Sequence, residues 1–174
     1  REELIKRTCE AVTGAKRVIF HLYNSTSTLQ RKVVFNKSRE EVIKLATDAT
    51  HIVKDNTRDL VASGTALTLE YSPESYTATE MDFAVEICAA VMDVWRPTVD
   101  DKIVLNLPST VEMATPNIYA DQIEYFTRHL PNRENAIISL HTHNDPGTGV
   151  AASELALMAA AQRITAPLFG NRER

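Results

Sequence analysis

At 174 residues the chain is long enough for one domain with a real core. Its 44% hydrophobic and 24% charged residues are ordinary for a globular protein, and a net charge of -4 offers no basic footprint for nucleic acid or anionic lipid. No apolar run approaches the ~18 residues of a membrane span, so neither nucleic acid nor membrane is an expected partner.

The chain opens on a charged helical pattern over residues 1–13, which has no signal-peptide core. A β-branched run over residues 17–22 predicts the first strand. Ser38 with Glu41 forms a capping box, and Val42, Leu45, Ala46, Ala49 and Val53 follow as an apolar stripe. Residues 66–71 predict the second strand. Thr77 with Glu80 repeats the capping device before Met81, Ala84, Ile87, Cys88, Val91 and Trp95, and Pro97 stops that helix. Residues 102–106 predict the third strand. Thr115 caps the next helix with Pro116 at its first position, and Ile118, Tyr119, Ile123, Phe126 and Leu130 recur at helical spacing. Residues 136–141 predict the fourth strand, an Ala-rich stretch from about 149 to 161 the last helix, and residues 164–169 a fifth strand interrupted by Pro167. Cys9 and Cys88 fall in helical patterns and read as reduced core thiols, which fits a cytoplasmic protein.

Strict alternation of strand and helix allows two α/β architectures, an open doubly wound sheet or a closed barrel. An open sheet concentrates its site at one switch point, whereas a barrel draws on many strand ends. Here polar residues follow every strand: His21 and Asn24, Ser72 and Glu74, Asn106 and Thr110, His141 and His143, Gly170 and Asn171. That pattern favours a (β/α) TIM barrel. Five strands cannot close one, so the chain reads as an incomplete barrel segment over residues 1–174, with about three of the usual eight strands missing.

The strongest local signal is His141-Thr142-His143-Asn144-Asp145. Residues i and i+2 of a strand share a face, so two imidazoles at one strand end can share a divalent ion. The alternative is a hydrogen-bonded polar pair. Asn171 is a weak third donor. Pro73 fixes the backbone after the second strand, so Glu74 is aimed with little freedom and can act as a base or orient a histidine; otherwise it is a helix-entry acid. Thr110 can hydrogen-bond a substrate carboxylate or cap its loop. His21 is a site residue or a satisfied core histidine, while His51 and His129 read as surface residues. Gly147-Thr148-Gly149, ahead of a helix, is a weak anion-binding signal.

Four segments in this order, residues 21–27, 70–74, 106–121 and 141–145, resemble the 2-isopropylmalate synthase family. They read His-Leu-Tyr-Asn-Ser-Thr-Ser, Glu-Tyr-Ser-Pro-Glu, Asn-Leu-Pro-Ser-Thr-Val-Glu-Met running on to Ala-Thr-Pro-Asn-Ile-Tyr-Ala-Asp, and His-Thr-His-Asn-Asp. The last is shared with the wider group of metal-dependent Claisen-condensing barrel enzymes, homocitrate and citramalate synthases included. The resemblance implies a TIM-barrel acyltransferase of leucine biosynthesis, a homodimer in its full-length form, that condenses acetyl-CoA with 3-methyl-2-oxobutanoate. It implies that His141, His143 and Asn171 associate with a divalent metal ion (Mg²⁺, Mn²⁺ or Zn²⁺). It also implies that His21, Ser72 and Thr110 bind the keto acid and that Glu74 serves catalysis by orienting the base.

The sequence departs from the family pattern in places. Thr165-Ala166 stand where the family has Glu-Gly, Pro146 where Arg is common, and Arg172 where it has Gly. The family's Arg-Asp-Gly strand, regulatory region and general-base histidine are not in this sequence, so residues 1–174 alone are expected to be inactive. A homocitrate- or citramalate-type synthase is the neighbouring reading. A degenerate, non-catalytic paralogue is another. A barrel hydrolase would need more metal-ligating carboxylates or histidines than are present.

Overall fold

The computed structural model describes residues 2–167. Five strands, β1 (Arg17–Ser25), β2 (Ala66–Glu74), β3 (Ile103–Ser109), β4 (Ala136–Thr142) and β5 (Arg163–Ile164), form one sheet in the order β1-β2-β3-β4-β5. Every neighbouring pair is parallel. Sequential order means that each crossover steps the same way, and right-handed crossovers then put the helices on one face. A doubly wound sheet must reverse its order at a switch point. This one does not, so it is a sector of a barrel.

The helices are α1 (Glu2–Ala11), α2 (Thr28–Gln30), α3 (Arg39–Asn56), α4 (Arg58–Ala62), α5 (Met81–Trp95), α6 (Pro116–His129) and α7 (Gly149–Met158). The core lies between them and one face of the sheet. Phe20, Leu69, Ile103, Leu105, Leu107, Ile138 and Leu140 point into it from the strands. Val42 and Val53 of α3, Phe83 and Ile87 of α5, and Ile123 and Phe126 of α6 meet them. Truncating a fully buried member such as Leu105 or Ile123 to Ala costs about 2–5 kcal/mol. Cys9 and Cys88 are both buried, free thiols.

Register decides what the other face carries. His21 pairs with Glu70, Tyr23 with Ser72, Glu70 with Val104, Asn106 with Ser139, Pro108 with His141, and Ser139 with Arg163. Paired residues share a face, so all of these line the concave side. On β1 the alternation is plain: Val18 and Phe20 are buried, whereas Ile19 and Tyr23 are 54% and 62% exposed.

The Ser38–Glu41 capping box forms in both directions. The expected Thr77–Glu80 box does not. Thr77 lies in a 3-10 turn (Tyr76–Ala78) and its hydroxyl donates to the Val111 carbonyl, while Glu80 precedes α5 and gives its carboxylate to Arg31. A long-range ion pair outcompetes the local cap. Thr115 precedes α6, with Pro116 first in the helix, but its side chain makes no capping bond.

Two short segments add to the simple alternation: α2 runs into a π-helical turn over Arg31–Phe35, and α4 follows α3. The strands reach further than their β-branched runs, and Pro73 lies inside β2, not after it. The Glu74 carbonyl points toward β1, where Thr26 donates to it. Pro73 therefore faces β3, and the β2–β3 ladder stops at Tyr71↔Leu105 because proline has no N–H to continue it. β5 ends at Ile164, ahead of Pro167. The remainder of the strand expected over 164–169 is non-strand through residue 167, and residues 168 and 169 lie outside the described residues.

Candidate active site at the C-terminal lip of the sheet

The strand ends of the concave face surround a cavity of about 480 Å3. His21, Ser72, Glu74, Thr110, His141 and His143 all line it, together with Tyr23, Asn106 and Pro108. Six of the seven residues to which the family resemblance gives site roles thus meet at one place. The seventh, Asn171, lies outside the described residues, as does Gly170.

His141 is near the end of β4 and His143 just beyond it. Their ring centroids are 5.1 Å apart and the rings are nearly perpendicular. Nδ1 of His141 donates to the Thr165 carbonyl oxygen at 2.8 Å, and Nδ1 of His143 donates to the Thr110 carbonyl oxygen at 2.7 Å. A carbonyl can only accept, so each Nδ1 carries a proton, and in the neutral imidazole the lone pair is then on Nε2. Metal-ligating histidines are oriented in this way, by an N–H donated to a backbone carbonyl or carboxylate. Among the described residues no group of three His, Cys, Asp or Glu side chains converges for a metal. The two imidazoles fit part of a coordination sphere whose other donors would come from beyond these residues.

His21 sits on the concave face of β1 with its side chain 44% exposed, so it is not a core histidine. Its Nε2 lies 2.7 Å from the Ser72 hydroxyl, which also accepts from the Asn106 side-chain amide at 3.1 Å. Burial holds the His21 imidazole below its ordinary pKa; Glu70 opposes this, and His141 and Arg163 add to the lowering. Glu70, 3% exposed, is neutralised by Arg163 at 2.7 Å and lies 4.0 Å from His21. Sequence reading passed over that pair because its members are 93 residues apart. The available signal was the period of two that puts Glu70 on the face of Ser72 and Glu74.

Thr110 joins three segments. Its hydroxyl accepts from the Ser75 N–H at 3.0 Å, its carbonyl holds His143, and it follows β3 directly. Glu74 is the last residue of β2, and its carbonyl accepts from the Thr26 N–H at 3.0 Å and lies 3.2 Å from the Thr26 hydroxyl oxygen. At the start of α7 the Gly149 N–H is taken by the Asn144 side chain at 2.9 Å, and the Thr148 hydroxyl donates to Glu112. The Gly149 N–H is thus taken by the chain itself, and no bond at this helix start bears on the anion-binding signal of residues 147–149. Gly149 itself is required by close approach: a Cβ there would sit 2.5 Å from the His143 carbonyl oxygen. No helix among the described residues is long and apolar enough to cross a membrane.

The model of one protein family, described as HMGL-like, matches residues 1–174. Over 174 residues the chain is 60% identical to a 2-isopropylmalate synthase of Acetoanaerobium sticklandii, covering 100% of this chain and 30% of that protein. It is 59% identical to a protein of the same name from Rhodospirillum rubrum and 58% identical to one from Agrobacterium fabrum, covering 31% of each. The chain spans under a third of the length of these curated relatives.

Proposed function

The chain belongs to the HMGL-like family, and on that footing we propose that it is a catalytic-domain segment of a 2-isopropylmalate synthase, condensing acetyl-CoA with 3-methyl-2-oxobutanoate in leucine biosynthesis. The observation that carries this reading is the meeting of two carbonyl-oriented imidazoles, His141 and His143, with His21, Ser72, Glu74 and Thr110 on one cavity. The names of the relatives support it.

In this reading the Nε2 atoms of His141 and His143 hold one divalent ion, Mg²⁺, Mn²⁺ or Zn²⁺, with Asn171 associated. The ion would polarise the ketone as a Lewis acid. The Thr110 hydroxyl donates to the keto acid's carboxylate while its oxygen accepts from Ser75. His21 and Ser72, already bonded to each other, bound the space for the rest of the keto acid, and the Asn106 amide fixes the Ser72 oxygen. Glu74 orients the base that takes a proton from the acetyl-CoA methyl group. The carbanion so formed adds to the ketone carbon, and hydrolysis of the thioester releases CoA. A positioned general base contributes about 10²–10⁴-fold to such a proton transfer. The same reading carries a cytoplasmic homodimer as the working form of the intact protein.

The test is a thiol-release assay on the intact protein, with the product identified by mass spectrometry. The reading expects 2-isopropylmalate from 3-methyl-2-oxobutanoate and little turnover of pyruvate or a dicarboxylic keto acid. Preference for either of those would move the chain to a citramalate- or homocitrate-type enzyme.

A further inference from the structure

Behind the cavity, and lining no part of it, lies an ion pair that local sequence does not suggest. Arg31 is only 6% exposed and donates to both carboxylate oxygens of Glu80, at 2.8 and 2.7 Å. Its guanidinium also donates to the Thr26 carbonyl at 2.7 Å and stacks 4.5 Å from the centre of the Phe83 ring. Arg39 reaches the same carboxylate at 3.2 Å. Fork-shaped donors on a carboxylate are the strong form of this interaction, and Lys cannot reproduce the geometry.

Thr26, anchored by Arg31, donates its backbone N–H to the Glu74 carbonyl at 3.0 Å, and its hydroxyl donates at 2.7 Å to that of Thr79, the residue before Glu80. The Thr79 hydroxyl in turn donates to the Ser75 carbonyl at 2.9 Å, and the Ser75 N–H is held by Thr110. Ser75 has the left-handed φ of 58°, a conformation a non-glycine residue keeps only when its surroundings enforce it. The bonds therefore close a ring around the peptide that follows Glu74. Among the described residues no hydrogen bond restrains the Glu74 carboxylate itself, so what these bonds fix is the backbone from which its side chain leaves.

We propose that Arg31 and Glu80 are positioning residues for Glu74, acting through Thr26 and Thr79 to fix the backbone from which its carboxylate enters the cavity. This rests on the proposed function for the role of Glu74, though not for the clamp itself. The experiment compares Arg31→Lys and Glu80→Gln, each alone and combined with Glu74→Gln, in the intact protein. For either clamp variant kcat should fall about tenfold, with KM for 3-methyl-2-oxobutanoate within about twofold, because misplacement of an acting group by an ångström or less costs rate more than binding. In the Glu74→Gln background the same substitutions should change kcat little, as expected for residues acting through one another. Amide exchange at Thr26 and Ser75 should rise in both clamp variants.

An equal loss of kcat in both backgrounds overturns the inference, since a merely structural role adds independently. Unchanged exchange at Thr26 and Ser75 overturns it whatever the activity does. Faster exchange beside full activity of Glu74→Gln leaves the clamp standing and overturns the reading of Glu74 instead.

Discussion

Nδ1 of His143 donates to the carbonyl oxygen of Thr110 at 2.7 Å, across 33 residues of sequence. The bond joins the ends of β3 and β4 and fixes the tautomer of the imidazole. It also makes Thr110 serve twice, as the orienting carbonyl for His143 and as the hydroxyl that accepts from Ser75. The orientation of His143 and the backbone beside Glu74 thus depend on one residue.

Glu74→Gln tests the role of the carboxylate. The substitution keeps shape and removes charge, and the Glu74 backbone is held by a bond from Thr26 that the change does not touch. In the intact protein kcat should fall by about 10²-fold or more. Affinity for the divalent ion, read by calorimetry, should stay the same. A near-normal kcat would remove Glu74 from the chemistry.

The Glu80 carboxyl gives the fold a pH dependence. Arg31 beside it, seconded by Arg39, lowers its pKa from 4.5 to about 2. A carboxylate depressed on folding contributes its full stability above the unfolded value and loses it as pH falls toward the folded one. The loss therefore lies between about pH 4.5 and 2. With the Glu80 side chain 34% exposed, solvent screening reduces the contribution to about 1–2 kcal/mol. Glu80→Gln should lower stability by that amount at pH 7 and flatten the acid limb of an unfolding curve measured between pH 5 and 2. An unchanged acid limb would show that the pair adds nothing to the fold.

Gly149→Ala puts a Cβ 2.5 Å from the His143 carbonyl oxygen. Backbone cannot yield cheaply, so the variant should lose about 1–3 kcal/mol, the usual cost of overpacking. His143 should shift with its carbonyl, and affinity for the divalent ion should fall. Wild-type stability and affinity together would show that the loop over residues 143–149 relaxes freely.

Much of the architecture is legible in the sequence because it rests on local signals. Short β-branched runs mark the strands, and polar residues beyond them mark the lip where His21, Ser72, Glu74, Thr110, His141 and His143 now line one cavity. The Ser38–Glu41 box is local and forms as read. Thr77 and Glu80 carry the same four-residue pattern, yet Glu80 is claimed by an arginine 49 residues away. No window-based reading sees that competitor. The Glu70–Arg163 pair and the early stop of the β2–β3 ladder are likewise settled by a tertiary contact and by which way Pro73 faces.

In the proposed reading His141 and His143 hold one divalent ion through Nε2. X-ray absorption on the Zn²⁺-loaded intact protein reads this directly, since imidazole ligands scatter characteristically at about 2.0–2.1 Å from zinc. The spectrum should show two imidazole ligands in the wild type, one in His141→Ala or His143→Ala, and none from this site in the double variant, with affinity down at least tenfold in each single variant, on the order of what even a lost outer-shell partner costs. A spectrum without imidazole, or one that the double substitution leaves unchanged, would contradict it.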